Sequence, residues 1–473
     1  MHELAIVGAL GAILSGCLVT RVDPQKPELP LPDALPPQAD AAQPLPDPWW
    51  QIFRDETLDR LVDEALDNNP DVAIVAGRVA EARAALRITN ADRVPALDLE
   101  ADATRAKDSE LFTPVPGLDR HRTVYTVQGA VGYELDLWGR YQRASESARA
   151  QLLNTEFGRE ATKLSLTGEV ARGYFGLIAA AEQLARGRDT LATREEALKL
   201  EKLRFDAGES DEFTFKRAEA DTAATRVSVR RFEREVIERT NALGILLGRA
   251  PKDLVERAVS VQGTSLPDAV TLPAALPSSV LERRPDIGAA EAALEGAAAD
   301  IGVARAELFP RISLTGTFGS ISTELDDLFT KPAEAWSATG GLLQPLFQGG
   351  RLRANVARAN AVREQRKAEY ARTVQEAFRD VLDALQGQVL IAGVQEANAE
   401  QVAALARATQ LAELRYDQGD IAYLELLDVR RGLFQAQIDL VGAQRDALLN
   451  TVDLALAVGG GLGERAEPLT VRR

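Results

Sequence analysis

Two periodicities alternate along the chain, and each occurs twice. Leu97, Leu99, Ala101 and Ala103 alternate with Asp98, Glu100, Asp102 and Thr104. Tyr125, Val127, Val131, Tyr133, Leu135 and Leu137 then alternate with Thr126, Gln128, Gly132, Glu134 and Asp136. Period two with one apolar and one polar face predicts strands. The pattern returns where Ile312, Leu314, Gly316 and Phe318 alternate with Arg311, Ser313, Thr315 and Thr317, followed by a weaker return strand at 336–346. Segments of about ten residues with aromatics near their ends (Tyr125, Tyr133, Trp138, Trp336) suit a transmembrane β-barrel. A half-solvated hairpin on a soluble sheet gives the same alternation, so the segments alone leave both readings open.

The second periodicity is seven. Val170, Leu177, Leu184, Leu191, Leu198 and Phe205 form one series, and Leu427, Phe434, Val441, Leu448 and Ala455 form another. A seven-residue apolar repeat is a coiled-coil seam. Proline costs about 3 kcal/mol inside a helix. None occurs from Gly117 to Ala250 or from Leu346 to Glu467. Tyr141 to Leu203, 63 residues, thus predicts a helix of about 95 Å. Gly208 and Gly419 stand at the expected reversals, making each stretch a long helical hairpin. Helices of moderate length are predicted at 56–92 and 278–307, ahead of each strand pair. The Ala-rich run Ala289–Ala299 lets helices approach closely, and helix seams need few rings, in keeping with 5% aromatic residues.

These blocks are copies. Asn69-Pro70-Asp71-Val72 matches Arg284-Pro285-Asp286-Ile287, and Val94-Pro95 matches Phe309-Pro310, both at an offset of 215. Trp138-Gly139-Arg140 matches Gly349-Gly350-Arg351, and Arg204-Phe205-Asp206-Ala207-Gly208 matches Arg415-Tyr416-Asp417-Gln418-Gly419, both at 211. A length of 473 residues suggests about three domains. The repeat replaces them with one duplicated unit, its copies at 49–270 and 271–473.

The N-terminus reads as an address. Leu4–Leu14 is an uncharged run, too short for the roughly 20 residues of a membrane span but suited to a signal-peptide core. It ends in Leu14-Ser15-Gly16-Cys17, which resembles the lipobox of bacterial lipoproteins. That resemblance implies removal of residues 1–16, a diacylglycerol thioether on Cys17 and N-acylation, for instance by palmitate. The leading segment Met1-His2-Glu3 lacks the usual Lys or Arg. Leu18 follows the cysteine where Asp would retain a lipoprotein in the inner membrane, which favours the outer membrane. Nine of the 22 prolines lie between Pro24 and Pro48, so residues 17–48 are expected to be an extended, lipid-anchored tether.

Composition removes other classes. A net charge of −16 argues against a nucleic-acid protein. One Cys and two His exclude a disulfide framework and a Cys/His zinc site. His121 falls in a polar predicted loop. Gly459-Gly460-Gly461 lacks the Lys and Ser/Thr of a phosphate loop. No catalytic set, cofactor site or metal site is expected, and the chain is not read as an enzyme.

Several motifs now combine. Pro48-Trp49-Trp50-Gln51-Ile52-Phe53 leads into Leu58-Asp59-Arg60-Leu61-Val62 and Asn69-Pro70-Asp71-Val72. Tyr133-Glu134-Leu135-Asp136-Leu137-Trp138-Gly139-Arg140 and Tyr416-Asp417-Gln418-Gly419, followed by Leu427-Asp428 and Arg430, lie in the two copies. In this order they resemble the TolC-like outer membrane factor family, in the lipoprotein branch with OprM-like and NodT-like proteins. Four strands cannot close a barrel by themselves, because known single-chain barrels begin at eight. A dimer would supply eight strands and a trimer twelve, and the resemblance implies the trimer. The implied fold is mainly α with a transmembrane β portion: a 12-stranded β-barrel, four strands per chain, continuous with a long periplasmic α-helical coiled-coil barrel. Loops 105–122 and 320–335 would face outside.

The resemblance implies an outer membrane exit duct of a tripartite efflux system, completed by a periplasmic adaptor and an inner-membrane pump of resistance–nodulation–division type, for small-molecule substrates. Type I protein secretion is the close alternative, and a structural coiled-coil lipoprotein without a pore is the other. The family's periplasmic gate aligns with Tyr416, Glu425 and Asp428, and the adaptor is expected at the hairpin tips around Gly208 and Gly419. Two positions depart from the pattern: Ile421 replaces a basic partner and Thr214 replaces the first-hairpin gate acid. Asp98, Glu100, Asp102, Glu134 and Asp136 share polar strand faces, and facing a lumen they would prefer cations.

Overall fold

A computed structural model describes residues 20–30, 48–107, 109, 120–268, 270 and 283–460. Cys17, the signal segment and most of the tether lie outside the described residues.

The element order repeats the sequence duplication. The first copy holds α1 (Glu56–Asn68), α2 (Pro70–Ala91), β1 (Ala96–Lys107), β2 (His121–Leu135), α3 (Arg140–Asp206) and α4 (Glu212–Leu246). A short α5 (Pro251–Glu256) follows. The second copy holds α6 (Pro285–Ala306), β3 (Arg311–Ser322), β4 (Glu334–Leu343), α7 (Arg351–Asp417) and α8 (Tyr423–Ala457). Equivalent helices have equal lengths: 22 residues for α2 and α6, 67 for α3 and α7, 35 for α4 and α8. None of the described helices is both long and apolar enough to cross a membrane.

Five details differ from the sequence expectations. The helix expected at 278–307 starts at Pro285; residues 283 and 284 precede the α-helix, and 278–282 lie outside the described residues. The helix predicted at 56–92 is two helices, because Asn69 is extended (φ −66°, ψ 128°), as a residue before proline prefers. The return strand of the second copy runs 334–343, not 336–346. β1 and β2 reach Lys107 and His121, and β3 reaches Ser322, so strand pairing extends into the segments expected as outer loops. His121 is therefore the first residue of a strand, register partner of Lys107.

The chain divides into two compact units, with boundaries inside α2, α3, α6 and α7. The first unit contains the sheet. Its strands are all antiparallel in the order β1-β2-β3-β4. The register separates two faces cleanly, since side chains alternate along each strand. Leu97, Leu99, Val131, Tyr133, Leu135, Ile312, Leu314, Phe318, Trp336 and Leu342 share one face; Asp98, Glu100, Asp102, Gln128, Glu134, Ser313, Thr315, Thr317, Ser337 and Thr339 share the other. The apolar face is uncovered: Leu99 is 79% exposed and Trp336 74%. Among the described residues, β1 and β4 are edges with no further strand partner.

In the same unit the strands pass into helix at the Trp-Gly-Arg segment. Trp138 stacks on Phe309 at 4.7 Å, and its indole N–H donates to the Pro310 carbonyl at 2.7 Å. Glu134 and Asp136 are consumed here: Glu134 pairs with Arg140 at 2.9 Å, and Asp136 accepts from the Gln142 backbone N–H at 2.9 Å. Both carboxylates are thereby tied to the strand-to-helix junction. Residues 20–30 of the proline-rich segment are held in place at two points. Thr20 is fully buried and donates to the Trp138 carbonyl at 2.8 Å. Lys26 pairs with Glu291 at 2.9 Å and lies over the Tyr370 ring.

The second unit holds the larger core. The Trp-Trp-Gln-Ile-Phe motif forms a 3₁₀ turn that buries Trp49 and Phe53. Trp49 donates to Thr167 Oγ1 at 3.1 Å, and Phe53 packs edge-on against Phe175 at 4.8 Å. Asp55 caps α1 through the Thr57 and Leu58 N–H groups and accepts from the Tyr174 phenol at 2.9 Å. The heptad series is fully buried at Val170, Leu177 and Leu448 and only half-buried at Leu184, Leu191 and Leu198. The returning helices end alike. Asn69 Nδ2 donates to the Leu246 carbonyl at 2.8 Å, and Arg284 Nη1 donates to the Ala457 carbonyl at 3.0 Å. The residue before each matched proline thus satisfies one open carbonyl of the equivalent helix end.

Candidate functional site

Both long hairpins turn by the same device. Gly208 and Gly419 have φ of 78° and 80°. Glu209 N–H bonds to the Arg204 carbonyl at 2.8 Å, and Asp420 N–H bonds to the Arg415 carbonyl at 2.8 Å. This closing pattern needs a left-handed residue, which glycine supplies without a Cβ penalty. A Cβ would meet nothing within 4 Å at either position, so backbone conformation, not space, selects glycine. The re-entry differs. Asp211 caps α4 by accepting from the Thr214 N–H at 2.7 Å, whereas α8 has Ala422 at its N-cap and no side-chain cap.

The tips differ most in one hydroxyl. In the first hairpin Phe205 stacks on Phe215 at 5.5 Å, within its own turn. The equivalent of Phe205 is Tyr416, whose phenol leaves its own hairpin. It donates to Glu201 Oε1 at 2.7 Å and accepts from Arg204 Nη1 at 2.9 Å. Arg204 also pairs with Glu201 at 3.1 Å and lies over the Tyr416 ring. Burial, then the Glu201 carboxylate, pushes the Tyr416 phenol up to about 12. Tyr423 lies 5.7 Å from the Tyr416 ring, and burial raises its phenol as well.

A second cluster ties the hairpins together. Asp221 on α4 is buried; its carboxylate binds Arg194 of α3 at 3.1 Å and Arg431 of α8 at 2.7 Å. Arg194 also donates to Thr225 Oγ1 and faces the Phe434 ring. Burial among these groups lowers the Arg194 guanidinium from its usual range. Beside the cluster, Arg430 closes on Glu413 at 2.8 Å.

Of the three residues expected at the gate, the structure brings only Tyr416 into a contact between hairpins. Glu425 is exposed on the first turn of α8. Asp428 is exposed, with Arg431 one helical turn away at 4.0 Å. In the first hairpin the position matching Glu425 is Thr214, and the one matching Asp428 is Arg217. A basic group does reach Tyr416 despite Ile421, but it is Arg204 from the other hairpin. Glu201, Arg204, Arg194, Asp221 and Arg431 were not legible in the sequence as a site. The one available signal was a carboxylate set among small residues, Ala218-Glu219-Ala220-Asp221-Thr222-Ala223, a composition that packs tightly.

Across the sheet, Asp98, Glu100 and Asp102 form an exposed column on β1, with Gln128 donating to Glu100 at 2.9 Å. The described residues contain no cluster able to hold a metal ion. The chemistry present is that of ion pairs between long helices and of a two-faced sheet.

The chain is similar to known proteins over most of its length. The family model described as outer membrane efflux protein matches residues 61–249 and 276–460. The solvent efflux pump outer membrane protein SrpC of Pseudomonas putida is 36% identical over 415 residues, 87% of each chain. The probable outer membrane lipoprotein SilC of Salmonella typhimurium is 31% identical over 456 residues, covering 95% of this chain and 96% of its own. The crystal structure of the CmeC outer membrane channel of Campylobacter jejuni superposes with a TM-score of 0.86 at 25% identity, covering 92% of this chain and 94% of that one.

Proposed function

The chain belongs to the outer membrane efflux protein family, and we propose that three copies of it form the exit duct of a tripartite efflux system. It is an outer membrane efflux channel and not an enzyme. The observation that carries the duct reading is the sheet: among the described residues it has four strands, two open edges and one uncovered apolar face. Unpaired edges cannot stand in lipid, where each backbone polar group must be satisfied. Three copies joined edge to edge close twelve strands, with the apolar face toward lipid and the Asp98, Glu100 and Asp102 column toward the lumen. The helical hairpins of the two copies, 49–270 and 271–473, then lie in the periplasm.

The finer assignments rest on this reading. The tips around Gly208 and Gly419 dock a periplasmic adaptor, and an inner-membrane pump of resistance–nodulation–division type supplies the energy. The solvent pump component SrpC supports small molecules as cargo. Tyr416, Glu425 and Asp428 form the periplasmic gate, where each acid occurs three times around the axis and attracts cations. Cys17 carries the lipid anchor, a reading supported by the lipoprotein relative SilC.

Purified protein tested in planar bilayers checks the duct. The expected result is a conducting assembly three times the 51.1 kDa chain mass, less the leader and plus lipid. A monomer without conductance overturns it. Crosslinks from a co-expressed adaptor falling on the strands and not on the tips would overturn the docking assignment.

A further inference from the structure

The apolar face of the sheet has a basic edge that the duct function does not use. Leu135 and Tyr125 lie ten residues apart on that face of β2, about 33 Å along a strand. At a tilt of about 40° this is about 25 Å of height, the height of the apolar band of outer-membrane barrels. Tyr133 and Tyr125 stand near its two limits, as interfacial rings do. Ala103 is the register partner of Tyr125, so it marks the same limit on β1. The next residues of β1 on this face are Arg105 and Lys107, at about 5 and 10 Å beyond the band. Both are exposed, and neither has an ion-pair partner among the described residues. Lys107 is paired in register with His121, which places a second basic residue directly opposite it.

Charge on this face is therefore confined to the hairpin ends. The opposite end of the band, where the strands meet α2 and α3, presents Leu97, Tyr133, Leu135, Ile312 and Leu342. The single acid on the same face of the described strands is Glu334, on β4 at the other edge of the sheet. Neighbouring cations on one exposed strand face repel weakly in water, and an anion seated between them turns that repulsion into attraction to both. The hairpin end is the end remote from the helices, so on the duct reading it is level with the headgroups of the outer leaflet. The anions at that level are phosphates on a glycolipid.

We propose that Arg105 and Lys107, with His121 beside them, form a docking surface for the phosphate groups of the outer-leaflet glycolipid. Arginine takes a phosphate by two parallel N–H bonds and lysine as a point charge. Three copies place the pair at three points around the barrel, as bound lipids of a ring. The inference rests on the outward orientation of the apolar face.

The test uses the full-length trimer in detergent with lipid A as the probe, read by native mass spectrometry. Wild-type protein is expected to retain lipid A carrying both phosphates at least tenfold better than lipid A with the phosphates removed. The Arg105→Gln/Lys107→Gln variant is expected to lose that preference while keeping its trimer mass and its conductance in planar bilayers. Equal retention of the phosphorylated and phosphate-free lipids by wild type overturns the proposal. Retention of phosphatidylglycerol as strong as that of lipid A overturns the glycolipid assignment. A variant trimer that dissociates with lipid preference intact overturns it too, because the cations then pair with Glu334 across the subunit boundary. Absence of conductance in wild type refutes the duct reading instead, so the two failures are distinguishable.

Discussion

The Tyr416 phenol donates to Glu201 Oε1 at 2.7 Å, joining the last turn of α7 to the last turns of α3. The equivalent residue in the first hairpin, Phe205, cannot make this bond, so the duplicated tips are joined by one hydroxyl present in only one of them. Tyr416→Phe removes a hydrogen bond to a charged group, worth about 1.5–3 kcal/mol. Lowered thermal stability, together with a raised open fraction in single-channel records, is the expected outcome. A variant indistinguishable from wild type in both measurements would show that the bond holds nothing.

The same phenol sets a pH dependence. Its folded value, about 12, lies above that of a free phenol near 10. The protonated form is therefore the one the fold favours. Its contribution is complete below about pH 10 and is lost as pH rises through 12. Thermal unfolding followed from pH 9 to pH 12 should show this loss in wild type and not in Tyr416→Phe.

Asp221 neutralises two arginines, one of them buried. Asp221→Ala leaves Arg194 without a counter-charge and is expected to cost about 3–5 kcal/mol. Replacing Asp221 by Leu and Arg194 by Met together should recover much of that loss, because the desolvation of both charges disappears with them. Urea unfolding of the single and double variants measures the coupling; additive losses would show that the pair is not coupled.

Asp428 is exposed, on a turn of α8 that also carries Arg431. If it lines the pore, Asp428→Ala changes conductance and weakens block by divalent cations. Planar-bilayer recordings in which both stay as in wild type would remove Asp428 from the gate.

Asp98, Glu100 and Asp102 stand in one column on the polar face of β1. Their combined replacement by Asn, Gln and Asn is expected to abolish cation preference, read as a reversal potential near zero in a salt gradient. The predicted effect excludes Glu134 and Asp136, which are engaged by Arg140 and by the start of α3. Glu134→Gln should leave the reversal potential unchanged.

Much of this fold was legible because its periods are long and uninterrupted. The seven-residue series at Val170–Phe205 and the proline gaps located both hairpins, and Gly208 and Gly419 marked the turns to the residue. The alternation at 97–104 located β1, and that at 125–137 located β2; their register came from the structure. Local context decided the misses. Pro70 restricts Asn69 and splits a helix that periodicity alone ran straight through. β4 is rich in small residues, so its pattern is weak and its start was placed two residues late.

The sequence by itself determined the duplication, the order of strands and helices in each copy, and the two faces of the sheet, because each is a repeat of residue type along one chain. The partners of the charges were decided by tertiary structure. Glu201 and Tyr416 lie 215 positions apart, and Asp221 and Arg431 lie 210 apart. A carboxylate on a helix surface looks the same in sequence whether it faces water or a buried arginine. Only the packing of one hairpin against the other removes water from around it and gives the pair its strength.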